Sequence, residues 1–289
     1  MTVVTPSTCE GVKEVNIQAV IFDLDGTLLD TESLSCRAVI DSFELSNLHM
    51  PQNIRKELSS QGDLLPWELK RRILGLRGSE WIPIVLGYAQ ENWGVDMANL
   101  DWREGWQSRC NNDDESRKQI VDTFWKSWEL RLNQLCEEIE ECPGATDLVN
   151  RLTELKIPCA IATSSRMVSV KKKRCRHEDM FKCFCHIITG DNPHIKRGKP
   201  APDIFLEAAK QLGFHPSECL AFEDSVLGAQ SAKSAGCHVV AVPDGRMEKQ
   251  AFASVADEVL SSMKEFSGKR WGLNHVNMSD VQCGEYSAQ

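Results

Sequence analysis

Two carboxylates follow the first strongly apolar segment of the chain, and they are its leading candidates for catalysis. Residues 18 to 25 are QAVIFDLD, and GTLLDT follows directly. An apolar, β-branched run of this kind is typical of a buried parallel strand, so Asp23 and Asp25 stand where the strand ends. Alternate residues of an extended backbone point to the same side, which brings the two carboxylates together. Their mutual repulsion predicts a bound cation or a phosphoryl group at this position, whereas a plain capped turn is the alternative.

A second polar group follows another apolar segment far along the chain. Residues 157 to 162 are IPCAIA, and Thr163, Ser164 and Ser165 come next, before a helical stretch. Hydroxyl groups and free backbone N–H groups at a strand-to-helix turn form a site for anions, because the helix N-terminus adds partial positive charge. Taken alone, this segment is also an ordinary helix cap.

A lysine and an acidic pair complete the set of candidate residues. Lys199 precedes a proline and the start of a helix, where its ammonium group can be held near the carboxylates. Glu223 and Asp224 follow the short apolar segment 220 to 222, and ligands of open α/β sheets bind at the carboxyl ends of strands. Each motif alone would be solvated by default, but their order along the chain predicts one shared site.

The elements that must position these residues alternate along the chain. Strands are predicted at residues 17–23, 157–163, 186–189, 219–223 and 238–242. Helices are predicted near residues 145–156, 165–177, 202–212 and 225–235. This alternation predicts an α/β fold, a Rossmann-like parallel sheet with helices on both faces.

Between Asp30 and Pro143 the pattern changes, because this region has no convincing strands and holds seven of the eight tryptophans. Apolar residues recur there at helical spacing, namely Ile120, Phe124, Trp128, Leu132, Leu135 and Ile139. The prediction is an inserted helical domain over residues 31–142, with the α/β core formed by residues 15–30 and 143–273. The tryptophans are interpreted as packing of a small helical core, and a stacking surface for a substrate ring is the alternative.

The four motifs together resemble those of the haloacid dehalogenase-like superfamily of phosphatases and phosphomutases. The resemblance implies that Asp23 is the nucleophile, Asp25 the general acid and base, and Lys199 the cation that balances the phosphate. It implies phosphate binding by Thr163 and Ser164. The implied metal ligands for Mg²⁺ are Asp23, Asp25 and Asp224, while Glu223 is either a further ligand or a partner of the ligands. The inserted domain resembles the mobile cap of this superfamily.

The resemblance also implies an activity, a magnesium-dependent hydrolysis of a small phosphorylated metabolite through an aspartyl-phosphate. Segments after residue 143, such as PGATDLVNRL and GKPAPDIFLEAAK, are most similar to members that hydrolyse pseudouridine 5'-phosphate. Members that act on glycerol phosphate or FMN are alternatives, as is a sugar phosphomutase. The alternative outside the enzymes is a binding module of this fold without catalytic activity.

Composition sets limits on partners and location. Lys and Arg number 33 against 42 Asp and Glu, and the net charge of −9 disfavours nucleic acid as a partner. No segment predicts a membrane span or a secretory signal, so a cytoplasmic monomer with reduced cysteines is expected. The basic run 171–174 is interpreted as the solvent-facing side of the helix after Thr163. Residues 1–14 are expected to be a disordered leader, and residues 274–289 a flexible tail.

Overall fold

A computed structural model describes residues 16–62, 64–74, 76, 78–97 and 114–278 of the 289-residue chain. The predicted leader, residues 1–14, lies outside the described residues. No helix in the described part of the chain is long and apolar enough to cross a membrane.

The fold is built on one parallel sheet. Its six strands are β1 (Ala19–Phe22), β4 (Cys159–Ala162), β5 (His186–Ile188), β6 (Cys219–Glu223), β7 (His238–Ala241) and β8 (Glu258–Val259). Their spatial order is β5-β4-β1-β6-β7-β8. Strands β4 and β5 therefore lie on one side of β1, and β6, β7 and β8 lie on the other. The predicted α/β class and all five predicted strands are confirmed. Strand β8 was not predicted because two half-buried residues carry no readable alternation.

Both faces of the sheet are buried, which explains the continuous apolar runs in its strands. Val20 and Phe22 of β1 face one hydrophobic cluster, while Ala19 and Ile21 face the other. On the first face, Phe22 stacks on Phe222 with ring centroids 4.9 Å apart. The second face is rich in alanine, so that helices can approach the sheet closely.

Ten helices accompany the strands in the described residues. The inserted region holds α1 (Glu32–Leu45), α2 (Gln52–Ser60), α3 (Trp67–Ile73), α4 (Gly78–Tyr88) and α5 (Asp114–Leu135). The sheet is flanked by α6 (Ala145–Glu154), α7 (Met167–Arg174), α8 (Glu178–Lys182), α9 (Asp203–Leu212) and α10 (Val226–Ala235). Helix α6 contributes to the first cluster, and α9 and α10 cover the alanine-rich face.

The inserted helices pack around a hydrophobic core of their own. Phe43 of α1 contacts Phe124 of α5 edge to face at 5.0 Å, and Trp81 and Trp93 surround this pair. This cluster shares no buried residue with the two clusters of the sheet. We propose that residues 31–142 form the cap, of which Cys136 and Ile139 near its end are buried in the first cluster of the sheet.

The structure corrects four details of the prediction. Region 31–142 does contain a strand, because β3 (Glu140–Glu141) pairs antiparallel with β2 (Leu29–Asp30) where the chain returns to the sheet. The predicted helical stripe ends early, since α5 stops at Leu135 and Ile139 is extended. The helix predicted over 165–177 is only α7, and α8 is a separate short helix.

The fourth correction concerns the predicted tail, residues 274–289. Val276 and Met278 are buried in the first cluster of the sheet, and Gly268 N–H donates to the Val276 carbonyl at 2.6 Å. The packed core therefore continues to residue 278, and residues 279–289 lie outside the described part of the chain.

Candidate active site

The candidate residues meet at the carboxyl edge of the sheet. Strands β1, β4 and β6 are neighbours and parallel, so the residues after them share one edge. A cavity of about 630 Å³ opens there between the sheet and the inserted helices. Its lining includes all the residues predicted for the site except Glu223, namely Asp23, Asp25, Thr163, Ser164, Lys199 and Asp224.

Asp23 is the most enclosed carboxylate that the cavity exposes to a ligand. It is 6% exposed, and its Oδ1 lies 2.5 Å from the Lys199 ammonium. Lys199 also contacts Glu223 Oε1 at 2.6 Å and donates to the Ala162 carbonyl at 3.1 Å. Burial raises the pKa of Asp23 to about 7; the charges of Glu223 and Asp25 add to the rise, and Lys199 opposes it. The buried ammonium group of Lys199 thus forms ion pairs with two buried carboxylates, those of Asp23 and Glu223.

Glu223 is buried completely and acts as a support beneath the cavity. Its Oε2 accepts hydrogen bonds from the backbone N–H groups of Asp224 and Ser225 at 3.1 and 3.2 Å. The Ser225 hydroxyl donates to the same oxygen at 3.1 Å. Because Oε1 is bound by Lys199, both oxygens of Glu223 are engaged by the protein. Two roles were predicted for Glu223, a metal ligand or a partner that holds the metal ligands. This arrangement favours the second role.

Helix α10 must approach Glu223 closely, and Gly228 allows it. A Cβ atom on Gly228 would lie 1.8 to 2.2 Å from the Glu223 carboxyl group. Gly228→Ala is therefore expected to destabilise the protein by about 1–3 kcal/mol and to lower activity by displacing Glu223. Urea unfolding checks this, with Gly245→Ala as control because no atom lies within 4 Å of its Cβ position. Equal unfolding midpoints for the two variants would contradict the prediction.

Asp25 is held by a cation that the sequence analysis assigned to solvent. Lys173 is 4% exposed, and its ammonium contacts Asp25 Oδ1 and, at 2.9 Å, the Ser165 hydroxyl. Ser165 Oγ donates to Asp25 Oδ2 at 2.7 Å, and Thr163 Oγ1 lies 3.4 Å from the same oxygen. Burial opposes ionisation of Asp25, but the charge of Lys173 and hydrogen bonds from Lys173, Ser165 and Thr31 together lower its pKa.

The interpretation of residues 171–174 as a solvated run is thus wrong for Lys173. Lys171 and Lys172 are exposed as expected. Lys173 lies three residues after the buried Val170, and residues at that spacing share a helix face. Arg174, four residues after Val170, shares this face and is exposed, so the spacing indicates the side of the helix without identifying Lys173.

The contrast between adjacent lysines gives a matched experiment. Lys173→Met leaves Asp25 without its cation, so we expect the turnover of an alkyl phosphate to fall by at least about tenfold. Lys172→Met removes the neighbouring, exposed ammonium and is expected to change turnover little. Steady-state kinetics of both variants checks this, and equal turnover in the two would show that Lys173 is dispensable.

The turn after β4, residues 163–165, lines the cavity. Thr163 Oγ1 accepts a hydrogen bond from the Ser165 backbone N–H at 3.0 Å, and the Thr163 N–H donates to Ile188. Ser164 is exposed in the cavity wall. Gly190 packs so closely that its Cβ position lies 2.3 Å from the Ser164 carbonyl oxygen. The turn is therefore held in place from two sides, as an anion site requires.

The chemistry of the site fits a hard divalent cation. Burial, followed by the charges of Glu223 and Asp23, raises the pKa of Asp224. Gly26, at φ +86°, brings the chain so near that its Cβ position lies 2.4 Å from Asp224 Oδ2. No group of three His, Cys, Asp or Glu side chains poised for a metal occurs among the described residues. Mg²⁺ does not need such a group, since one or two carboxylates, a carbonyl and water satisfy it.

Mg²⁺ is expected to raise the melting temperature more at about pH 7.5 than at about pH 5.5. A carboxyl group with a raised pKa stabilises the fold below its unfolded pKa, and this contribution is lost as pH rises through about 7 for Asp23. At the higher pH Asp23 is mostly ionised, so the ion displaces fewer protons when it binds. Thermal melts with and without Mg²⁺ check this, and Asp224→Asn should reduce the shift. Equal shifts at both pH values would contradict it.

A family model agrees with this site. The model of the haloacid dehalogenase-like hydrolases matches residues 17–236, which is more than half of the chain. The matched range includes every residue that lines the cavity at the edge of the sheet.

Individual relatives cover most of the chain. The Arabidopsis thaliana protein named (DL)-glycerol-3-phosphatase 1, mitochondrial, is 31% identical over 261 residues, which cover 89% of this chain and 74% of that protein. The Drosophila melanogaster protein named Probable pseudouridine-5'-phosphatase is 32% identical over 256 residues, covering 88% and 93%. The crystal structure of CbbY from Rhodobacter sphaeroides in complex with phosphate is 27% identical, has a TM-score of 0.60, and is matched over 86% of this chain and 95% of that one. The chain therefore belongs to the haloacid dehalogenase-like hydrolase family, and within that family it is a phosphatase.

Proposed function

We propose that this phosphatase hydrolyses a small phosphorylated metabolite through an aspartyl-phosphate on Asp23, with Mg²⁺ as cofactor. The observation that carries the proposal is the pairing of two carboxylates with two buried ammonium groups in one cavity. Asp23 is paired with Lys199, and Asp25 with Lys173. The two carboxylates therefore have different surroundings, which suits two different roles.

A carboxylate oxygen of Asp23 attacks phosphorus and the bond from phosphorus to the leaving-group oxygen breaks, so that the phosphoryl group becomes bonded to Asp23. Lys199 balances charge on the phosphoryl oxygens because its ammonium is held against the nucleophile by Glu223. The Thr163 hydroxyl and the N–H of Ser164 bind the remaining oxygens.

Asp25 takes up a proton when the negative charge of the bound phosphate raises its pKa, donates that proton to the departing oxygen, and then accepts one from the water that attacks the aspartyl-phosphate. Lys173 and Ser165 orient its carboxyl group for both steps. The water attack releases phosphate and restores the carboxylate of Asp23.

Asp23, the backbone carbonyl of Asp25, and Asp224 would hold the magnesium ion. When bound, Mg²⁺ supplies positive charge that relieves repulsion between the carboxylates and the phosphate. Thr27 Oγ1 lies 3.5 Å from Asp224 Oδ1 and helps to orient that carboxylate.

Pseudouridine 5'-phosphate is the substrate that we propose first. It is supported by the Drosophila relative and by the similarity of the segments after residue 143. Glycerol phosphate is the second candidate, supported by the Arabidopsis relative at nearly the same identity. We further propose a cytoplasmic monomer that needs no nucleic acid or membrane partner. The nine cysteines of the described residues are all free, which agrees with a reducing compartment.

The test is phosphate release from a panel of phosphomonoesters with and without Mg²⁺. The panel contains pseudouridine 5'-phosphate, FMN, glycerol phosphate, phosphoglycolate and a hexose phosphate. We expect release that depends on Mg²⁺ and the highest kcat/KM for pseudouridine 5'-phosphate. A higher kcat/KM for glycerol phosphate or FMN would change the proposed substrate but not the proposed mechanism. Isomerisation of the hexose phosphate without release would indicate a phosphomutase, and no turnover of any compound would refute the hydrolase.

A further inference from the structure

One face of helix α5 forms the wall of the cavity opposite the sheet. The residues of α5 and the turn after it that line the cavity are Trp125, Trp128, Glu129, Leu132, Asn133 and Cys136. Residues 125, 128, 132 and 136 form one series at spacings of three and four, and residues 125, 129, 133 and 136 form another, so together they make a single stripe along the helix. Apolar members of this helix are recognisable by their spacing in the sequence, whereas no local pattern connects Glu129 or Asn133 with the site.

The stripe leads away from the reacting carboxylates. Cys136 lies at the inner end, where burial raises its pKa and the charges of Lys173 and Asp25 act on it. Trp125 is eleven residues earlier, about 16 Å away at about 1.5 Å per residue. A phosphate bound at Asp23 therefore leaves the rest of the substrate to extend along this stripe.

The outer part of the stripe is a fixed aromatic surface. The rings of Trp125 and Trp128 lie 5.1 Å apart, and Trp81 packs on Trp128 at 5.5 Å. Gly78 packs against Trp125, because a Cβ atom there would come within 2.3 to 2.4 Å of the indole ring. These tryptophans belong to the core of the inserted helices and also line the cavity, so packing and a stacking surface are compatible.

Two polar side chains lie beside this surface. Glu129 and Asn133 are one helical turn apart and half-buried in the cavity wall. Neither forms a hydrogen bond or ion pair with another residue in the part of the chain that the structure describes. An unpartnered carboxylate in such a wall attracts N–H donors and repels a second anionic group.

We propose that this stripe selects the leaving group: a phosphomonoester whose other end is a flat heterocycle with N–H donors. The ring packs on Trp125 and Trp128, and its N–H groups donate to Glu129 and to the Asn133 side-chain carbonyl. Both a nucleoside monophosphate and a flavin mononucleotide satisfy this chemistry, whereas glycerol phosphate does not. The inference rests on the proposed phosphatase reaction and concerns a different part of the cavity.

The experiment measures a selectivity ratio, kcat/KM for pseudouridine 5'-phosphate divided by kcat/KM for glycerol phosphate, with FMN as a second ring-bearing substrate. Glu129→Ala and Asn133→Ala are compared with Glu115→Ala, which removes an exposed carboxylate near the far end of the same helix. We expect Glu129→Ala to lower the ratio by about tenfold or more, mainly through KM, because a hydrogen bond to a charged group is lost. Glu115→Ala should leave the ratio unchanged.

Two results would overturn the inference while the phosphatase reaction stands. One is a higher kcat/KM of the wild-type enzyme for glycerol phosphate than for pseudouridine 5'-phosphate. The other is a selectivity ratio in both Glu129→Ala and Asn133→Ala that equals the ratio of the wild type. If Trp128→Leu is soluble, its ratio should fall too; if it does not fold, the two polar variants decide. A wild-type protein inert towards every phosphomonoester would instead refute the proposed function itself.

Discussion

Asp23→Asn is expected to reduce phosphate release to below detection. The amide nitrogen and oxygen are poor nucleophiles, and the neutral side chain also weakens binding of the cation. The fold should persist, because the amide oxygen still accepts a hydrogen bond from Lys199, and Lys199 retains its contact with Glu223. Removing one of several crowded carboxylates should leave the free energy of unfolding unchanged or slightly increased.

The measurement combines phosphate release, acid-quench trapping of labelled phosphoenzyme and a thermal melt. Asp179→Asn is the matched control, because the Asp179 side chain is 97% exposed and does not line the cavity. We expect wild-type activity in the control and neither turnover nor phosphoenzyme in Asp23→Asn, with similar melting temperatures. Near-normal activity in Asp23→Asn would falsify the nucleophile assignment.

Asp25→Asn is expected to slow the first chemical step in proportion to how poor the leaving group is. An alkoxide needs a proton as it departs, and general acid catalysis contributes roughly a hundredfold to ten-thousandfold. The anion of p-nitrophenol departs with little help. In single turnover the variant should therefore lose far more rate on an alkyl phosphate than on p-nitrophenyl phosphate. The second step still needs a base for water, so phosphoenzyme should accumulate with the aryl substrate.

Rapid-quench kinetics with both substrates checks this result. Equal losses on the two substrates, without trapped phosphoenzyme, would mean that Asp25 only holds the metal. Asp25→Asn also leaves the buried ammonium of Lys173 without its carboxylate, which lowers the stability of the folded protein. The double variant Asp25→Asn, Lys173→Met removes both charges. Its leaving-group dependence should match that of Asp25→Asn, while its melting temperature should be closer to that of the wild type.

Much of the fold follows from local sequence. The strands that became β1, β4, β6 and β7 are buried on both faces, so their apolar runs are long and uninterrupted and could be located. The candidate residues at their carboxyl ends could be grouped for the same reason, since parallel neighbours end at one edge. Strand β8 and the β2–β3 pair could not be located, because two-residue strands are defined by their partners.

The sequence by itself determined the residue types at the floor of the cavity: the order of Asp23, Asp25, Lys199 and Asp224, with their resemblance to the motifs of the family, predicts phosphoryl transfer. Only the tertiary structure decided what surrounds them. Which of several adjacent lysines enters the site depends on the angle at which α7 packs. Which face of α5 covers the cavity depends on how the inserted helices dock, because that helix carries apolar and polar residues on more than one side. A local sequence pattern determines where a residue lies on its own helix or strand. The geometry of a site depends on the distances between residues of different helices and strands, and only the packing of these elements determines them.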